Sequence, residues 1–206
     1  MQKMQSRSIV ERWLRMFTGI VAIAALSGCA SVYVDNHTKE VESSKFGKAT
    51  PPHPVQVLFE FQTKGVANAR ATDALKKQVL DQVQASRVFT SVGEGPVDGN
   101  ALLSITLNNV PLTDDAFAKG FVTGLTFGLA GSQVSDGYVC TAKYSGPGQQ
   151  GSIAKSARHA IHTVIGAGSA PPDAVKASDA MEAVKLMTRQ IVSNVLHDVT
   201  NDAAFK

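Results

Sequence analysis

Val55-Gln56-Val57-Leu58-Phe59-Glu60-Phe61-Gln62 is the stretch on which the fold turns. Val55, Val57, Phe59 and Phe61 alternate with Gln56, Glu60 and Gln62, so an extended strand here has one apolar and one polar face. Leu58 breaks the alternation and predicts a strand partly covered on both sides. Gly65 ends the run, and the period then changes. Ala71, Leu75, Val79 and Val83 recur every fourth residue through 67–85, while Lys76, Lys77, Asp81 and Gln84 fall elsewhere. That is a helix with one apolar stripe. A half-buried strand followed by such a helix calls for a sheet whose open face the helix covers.

The downstream sequence repeats this logic. Val88-Phe89 reads as a short strand before the turn-rich Gly93–Asn100. Leu103, Ile105 and Leu107 alternate with Ser104, Thr106 and Asn108. Two further strands, 133–144 and 153–165, are joined by Gly146-Pro147-Gly148-Gln149-Gln150-Gly151 as a hairpin, with Tyr138, Cys140, Ala142 and Tyr144 on one face. A last helix runs from Asp173 or Ser178 to Val199, with Ala180, Val184, Met187, Ile191 and Val195 along one side. Residues 201–206 are expected to fray. The order predicts one α+β domain over 55–200. Its architecture is a two-layer sandwich, a mostly antiparallel sheet of four to five strands with two helices on one face.

The formal charge of +3 belongs wholly to residues 1–28, where Lys3, Arg7, Arg12 and Arg15 face only Glu11. The remainder balances sixteen basic against sixteen acidic side chains, so it lacks the clustered positive charge that nucleic-acid binding requires. Residues 1–28 also have a basic start, an apolar run from Met16 to Leu26 and small residues Ser27 and Gly28, the three parts of an export signal. The run is about half the ~20 residues of a membrane span, so a retained helical anchor is the weaker alternative.

Leu26-Ser27-Gly28-Cys29 resembles the lipobox of a bacterial lipoprotein precursor. The resemblance implies cleavage before Cys29 and acylation of its thiol. Several acyl chains on one residue make a durable anchor where a single chain holds only marginally. Ala30 stands where such lipoproteins carry Asp for inner-membrane retention, which implies the outer membrane, facing the periplasm. Residues 29–54 then read as the lipidated Cys and a polar tether stiffened by Pro51-Pro52-His53-Pro54, with Val32-Tyr33-Val34 docking as an edge strand as the other reading. The order of elements over 55–200 resembles small, uncharacterised outer-membrane lipoproteins with αβ-sandwich bodies. Cys140 is left as the second cysteine, too few for an internal disulfide, and reads as a buried apolar residue rather than a reactive thiol.

Phe117–Gly131 fits none of these elements. Gly120, Gly124 and Gly128 stand four apart, with Phe121, Leu125 and Leu129 beside them. On a helix they would form a flat stripe open to close approach. Three readings stand: an apolar loop packed under the sheet, a self-association surface, or a patch resting on the membrane that holds Cys29.

Catalytic and metal-binding patterns are sparse. Gly166-Ala167-Gly168-Ser169 lacks the spacing of a nucleophile elbow, and Gly47-Lys48 lacks the upstream glycine of a phosphate loop. His159 and His162, three apart in a strand, point to opposite faces and cannot share a metal ion, and no Cys or carboxylate completes a ligand set. Lys155 and Arg158 beside them do not make a phosphate site. Asp114, Asp115 and Asp136 lack the interleaving of a calcium loop and read as turn or helix-start residues. The expectation is therefore a non-enzymatic, lipid-anchored binding or assembly module, needing no cofactor or metal. Its partners would be the membrane and either another protein or further copies of itself. The alternative is a cell-envelope enzyme acting on cell wall or lipid, whose site is assembled only in the fold.

Overall fold

A computed structural model describes residues 30–112, 133–149, 151–166 and 168–206. In chain order its elements are β1 (Ala30–Val34), β2 (Val55–Thr63), β3 (Val66–Ala67), α1 (Ala69–Ala85), β4 (Val92–Gly93), β5 (Leu102–Pro111), β6 (Gln133–Ser145), β7 (Ile153–Ile165), β8 (Val175–Lys176) and α2 (Ala180–Thr200).

The fold is α+β, with eight described strands in one mixed sheet rather than the expected four to five. The order across it is β3-β2-β5-β6-β7-β1-β8, with β4 also on β2. Three of the additional strands, β3, β4 and β8, have two residues each, too few to leave a period in the sequence. Five of the seven pairings are antiparallel. The exceptions are β2 with β4 and β2 with β5. α1 lies between β2 and β5 in sequence and carries the chain back to the starting end, so β5 enters parallel to β2.

β2 buries Val55, Val57, Phe59 and Phe61 and leaves Leu58 about half exposed, so only one side of the strand is covered there. Phe59 stands opposite Ile105 and Phe61 opposite Leu107; Leu107 in turn faces Cys140 and Leu103 faces Tyr144. Both helices pack on this face, α1 through Leu75, Val79 and Val83 and α2 through Ala183, Met187, Ile191, Val195 and Val199. Full burial of a Leu, Ile or Phe side chain is worth ~1.5–3 kcal/mol, well above any helix-propensity difference, so packing holds the helices in place. Asn68 caps α1 by accepting from the Ala71 amide. Asp179 caps α2 by accepting from the Glu182 amide, while Glu182 accepts from the Ser178 amide. Gln78 and Gln82, one turn apart on α1, donate to the Lys185 and Arg189 carbonyls on α2 and fix the helices side by side.

Two expectations are corrected. Residues 30–54 are not a tether. Val32-Tyr33-Val34 lies inside β1, paired with β7 on one side and β8 on the other. Residues 38–50 then form a strap across the helices. Asn194 donates to the Lys39 carbonyl, the Val41 amide to Ser193, the Gly47 amide to Thr200, and Lys48 to the Ser86 carbonyl. Phe46 and Ala49 are buried along it, and His53 just after it. Residues 201–206 do not fray either. Phe205 packs on Tyr144 at a ring separation of 4.9 Å and on Phe89 at 6.2 Å, and Lys155 pairs with Asp202 at 2.6 Å. A half-buried aromatic contact and an ion pair hold a tail whose terminal position predicted it to be loose.

Candidate functional site

The two β7 histidines do point to opposite faces, and both are buried. His159 faces the helices. Its Nε2–H donates to Gln190 Oε1 at 2.8 Å, and its Nδ1 accepts from the Ala160 amide at 2.9 Å. Burial lowers its pKa below the ordinary histidine value. On the same face burial pushes the Cys140 thiol up to about 12, which makes it an apolar core residue and not a nucleophile.

His162 faces the other side, where topology assembles a polar cluster. Register sets Ser135 of β6 and Tyr33 of β1 on either side of it, and Asp35 follows β1 with its amide bonded to the Ala160 carbonyl. His162 Nε2 lies 3.4 Å from Asp35 Oδ2, and Nδ1 lies 2.8 Å from Ser135 Oγ and 3.2 Å from Gln133 Nε2. A carboxylate only accepts, so Nε2 carries the proton and Nδ1 accepts from Ser135. The other Asp35 oxygen accepts from the His37 amide at 2.8 Å and meets the His37 ring at 3.0 Å. Hydroxyl, imidazole and carboxylate thus stand in series, an arrangement that can activate a serine. Asp35 and His162 are fully buried, and Ser135 is half-buried. No sequence signal marks this cluster, because Asp35 and His162 are 127 residues apart and neighbours only through the β1–β7 pairing.

Two grooves lie elsewhere. One, of about 370 Å³, runs beneath the strap between Glu40, Val41, Phe46, Gln82, Ser86 and Ser193. The Gln82 Oε1 atom is buried there without a partner among the described residues. Glu40 on its rim pairs with Arg189 at 2.7 Å. The other, of about 580 Å³, lies between the β6–β7 connection and the docked tail.

Of the residues singled out from sequence, Cys29 and the stripe Gly120, Phe121, Gly124, Leu125, Gly128 and Leu129 lie outside the described residues, as do Asp114 and Asp115. Asp136 is not in a turn. It sits within β6 opposite Pro111 and Ile161, next but one to Tyr138. His197 is on α2, 3.2 Å from Asp198. Among the described residues no group of three or more His, Cys, Asp or Glu is placed to hold a metal ion, and no helix is long and apolar enough to cross a membrane.

No family model matches the chain, and no curated protein matches it. Solved structures give low-level fold similarity. A PelC dodecamer from Paraburkholderia phytofirmans is 9% identical, with a TM-score of 0.33, over 84% of this chain and 99% of its own. A neuraminyllactose-binding hemagglutinin homolog from Helicobacter pylori is 12% identical, with a TM-score of 0.39, over 82% of this chain and 94% of its own.

Proposed function

We propose that this chain is a non-enzymatic lipoprotein of the outer membrane. Acylated Cys29 anchors it, and its body faces the periplasm as a binding or assembly module for a protein partner or for further copies of itself. The observation that carries this reading is the place of Ala30 in the sheet. Ala30, the residue after Cys29, is already paired with Ile165 in the sheet. An acyl anchor on Cys29 would therefore hold the body against the bilayer with no slack, a coupling that suits a fixed scaffold. Replacing Cys29 with Ser should abolish both acylation and cleavage before residue 29, and take the protein out of the outer-membrane fraction. Outer-membrane location of Cys29→Ser equal to wild type, or a wild-type N-terminal peptide without acyl mass, would count against it.

A second reading is favoured by Ser135, His162 and Asp35. If their series serves hydrolysis, a fluorophosphonate probe should label the native protein at Ser135, and His162→Gln should abolish the label. Absence of labelling in the intact protein excludes Ser135 as an activated nucleophile.

A further inference from the structure

We infer that the projecting tip of β6, β7 and β1 is a second, lipid-contacting surface; this rests on Cys29 being the anchor. β5 makes its last rung at Pro111–Asp136, while β6 and β7 continue to Gln133 and Ile165 and β1 runs alongside them from Ala30. Among the described residues these three strands therefore project past β2 and β5, while β8 flanks β1 only as far as the Tyr33–Lys176 pair and the Ala177 amide on the Val32 carbonyl. Thr163 faces Val134, and Ile165 faces Ala30, so alternation puts all four on one face of the tip. Val134 is 55% and Ile165 49% exposed. α2 starts at the same end, because its far end meets Lys155 and Tyr144 through Asp202 and Phe205, and Met181 in its first turn is 50% exposed. Half of the six exposed large apolar side chains among the described residues thus gather around this tip. At the opposite end the surface is made by Gly148, Gln149, Ser152 and Lys206.

The occupant follows from where the chain leads. Acyl chains in a leaflet put Cys29 at headgroup level, and consecutive Cα atoms are ~3.8 Å apart. With strands ~4.8 Å apart and residues ~3.3 Å apart along them, Ile165 lies roughly 5 Å and Val134 roughly 12 Å from Ala30. Those distances are comparable with the ~5–10 Å to which interfacial apolar groups enter the headgroup–acyl boundary. The tip would then set the body's orientation, with the sheet standing away from the bilayer and the β6–β7 connection distal.

The test uses the full lipidated chain reconstituted in phosphatidylcholine vesicles. Val134→Cys, Ile165→Cys and the distal Ser152→Cys are each labelled with an environment-sensitive fluorophore; native Cys140 is buried and does not compete. Spin-labelled lipid should quench the probe at 134 and 165 and leave it unquenched at 152. A probe at 134 and 165 that is blue-shifted but unquenched would show the tip covered by protein, and one that is neither would show it in water; both overturn the proposal. The acyl mass of the Cys29 peptide, measured on the same sample, separates the two ideas. An acylated chain with unquenched probes sinks the tip contact alone, and an unacylated chain sinks both.

Discussion

His159 and His162 lie three residues apart in one strand, yet pleating gives them different environments. His159 is satisfied as a neutral ring, donating to Gln190 and accepting from the Ala160 amide, and burial lowers its pKa. Its folded pKa lies below its unfolded value, so the unfolded chain binds more protons between the two. The stability it contributes is complete above the unfolded value, ~6.5, and is lost as pH falls through the folded one. The urea midpoint should therefore fall between about pH 7.5 and about pH 5, and His159→Gln should flatten that fall. An unchanged pH profile in the variant would assign the acid sensitivity to other groups. The facing-apart of the two rings was legible because strand period is a local property. The union of His162 with Asp35 was not, because it depends on which strand lies beside β7.

The strap and the tail are the elements that sequence misread, and for one reason. Both are polar, short of regular period, and held by partners far away in the chain. The Val41 amide bonds to Ser193, 152 residues on, and the Gly47 amide to Thr200, 153 residues on. A Cβ at Gly47 would collide with the Thr200 carbonyl oxygen, so the strap can cross α2 here only as glycine. Gly47→Ala should lower stability by roughly 1–3 kcal/mol, as other overpacking changes do. Gly93→Ala, with nothing within 4 Å, should stay within about 0.5 kcal/mol. Phe205→Ala should cost about 1–2 kcal/mol, less than the ~3–5 of a fully buried Phe because the ring is only half-buried. Chemical denaturation resolves all three, and a Phe205→Ala midpoint equal to wild type would restore the frayed tail. β2, α1, β5, β6, β7 and α2, by contrast, were legible because each runs long enough to show its own period of two or nearly four.

In the whole molecule, the strand order gives the termini of the described body opposite roles. Ala30 enters at the projecting end of the sheet, and the last residues seal the other end against Tyr144 and Phe89. The hydrophobic core is built among described residues that all follow Cys29. Cys29→Ser should thus change location and leave the urea midpoint of the body where it was. Fold class and the faces of the long elements were legible in the chain, because burial periodicity is written residue by residue. So were the neutral charge of the chain after Cys29 and the expectation of an anchor there. The parallel run of β2 and β5, the strap at 38–50 and the meeting of Asp35 with His162 emerge only on folding. So does the placing of Val134 and Ile165 around the residue that follows Cys29. Each of these is a contact between segments tens to more than a hundred residues apart. Such contacts are selected by closure of the whole core, and no local pattern encodes them.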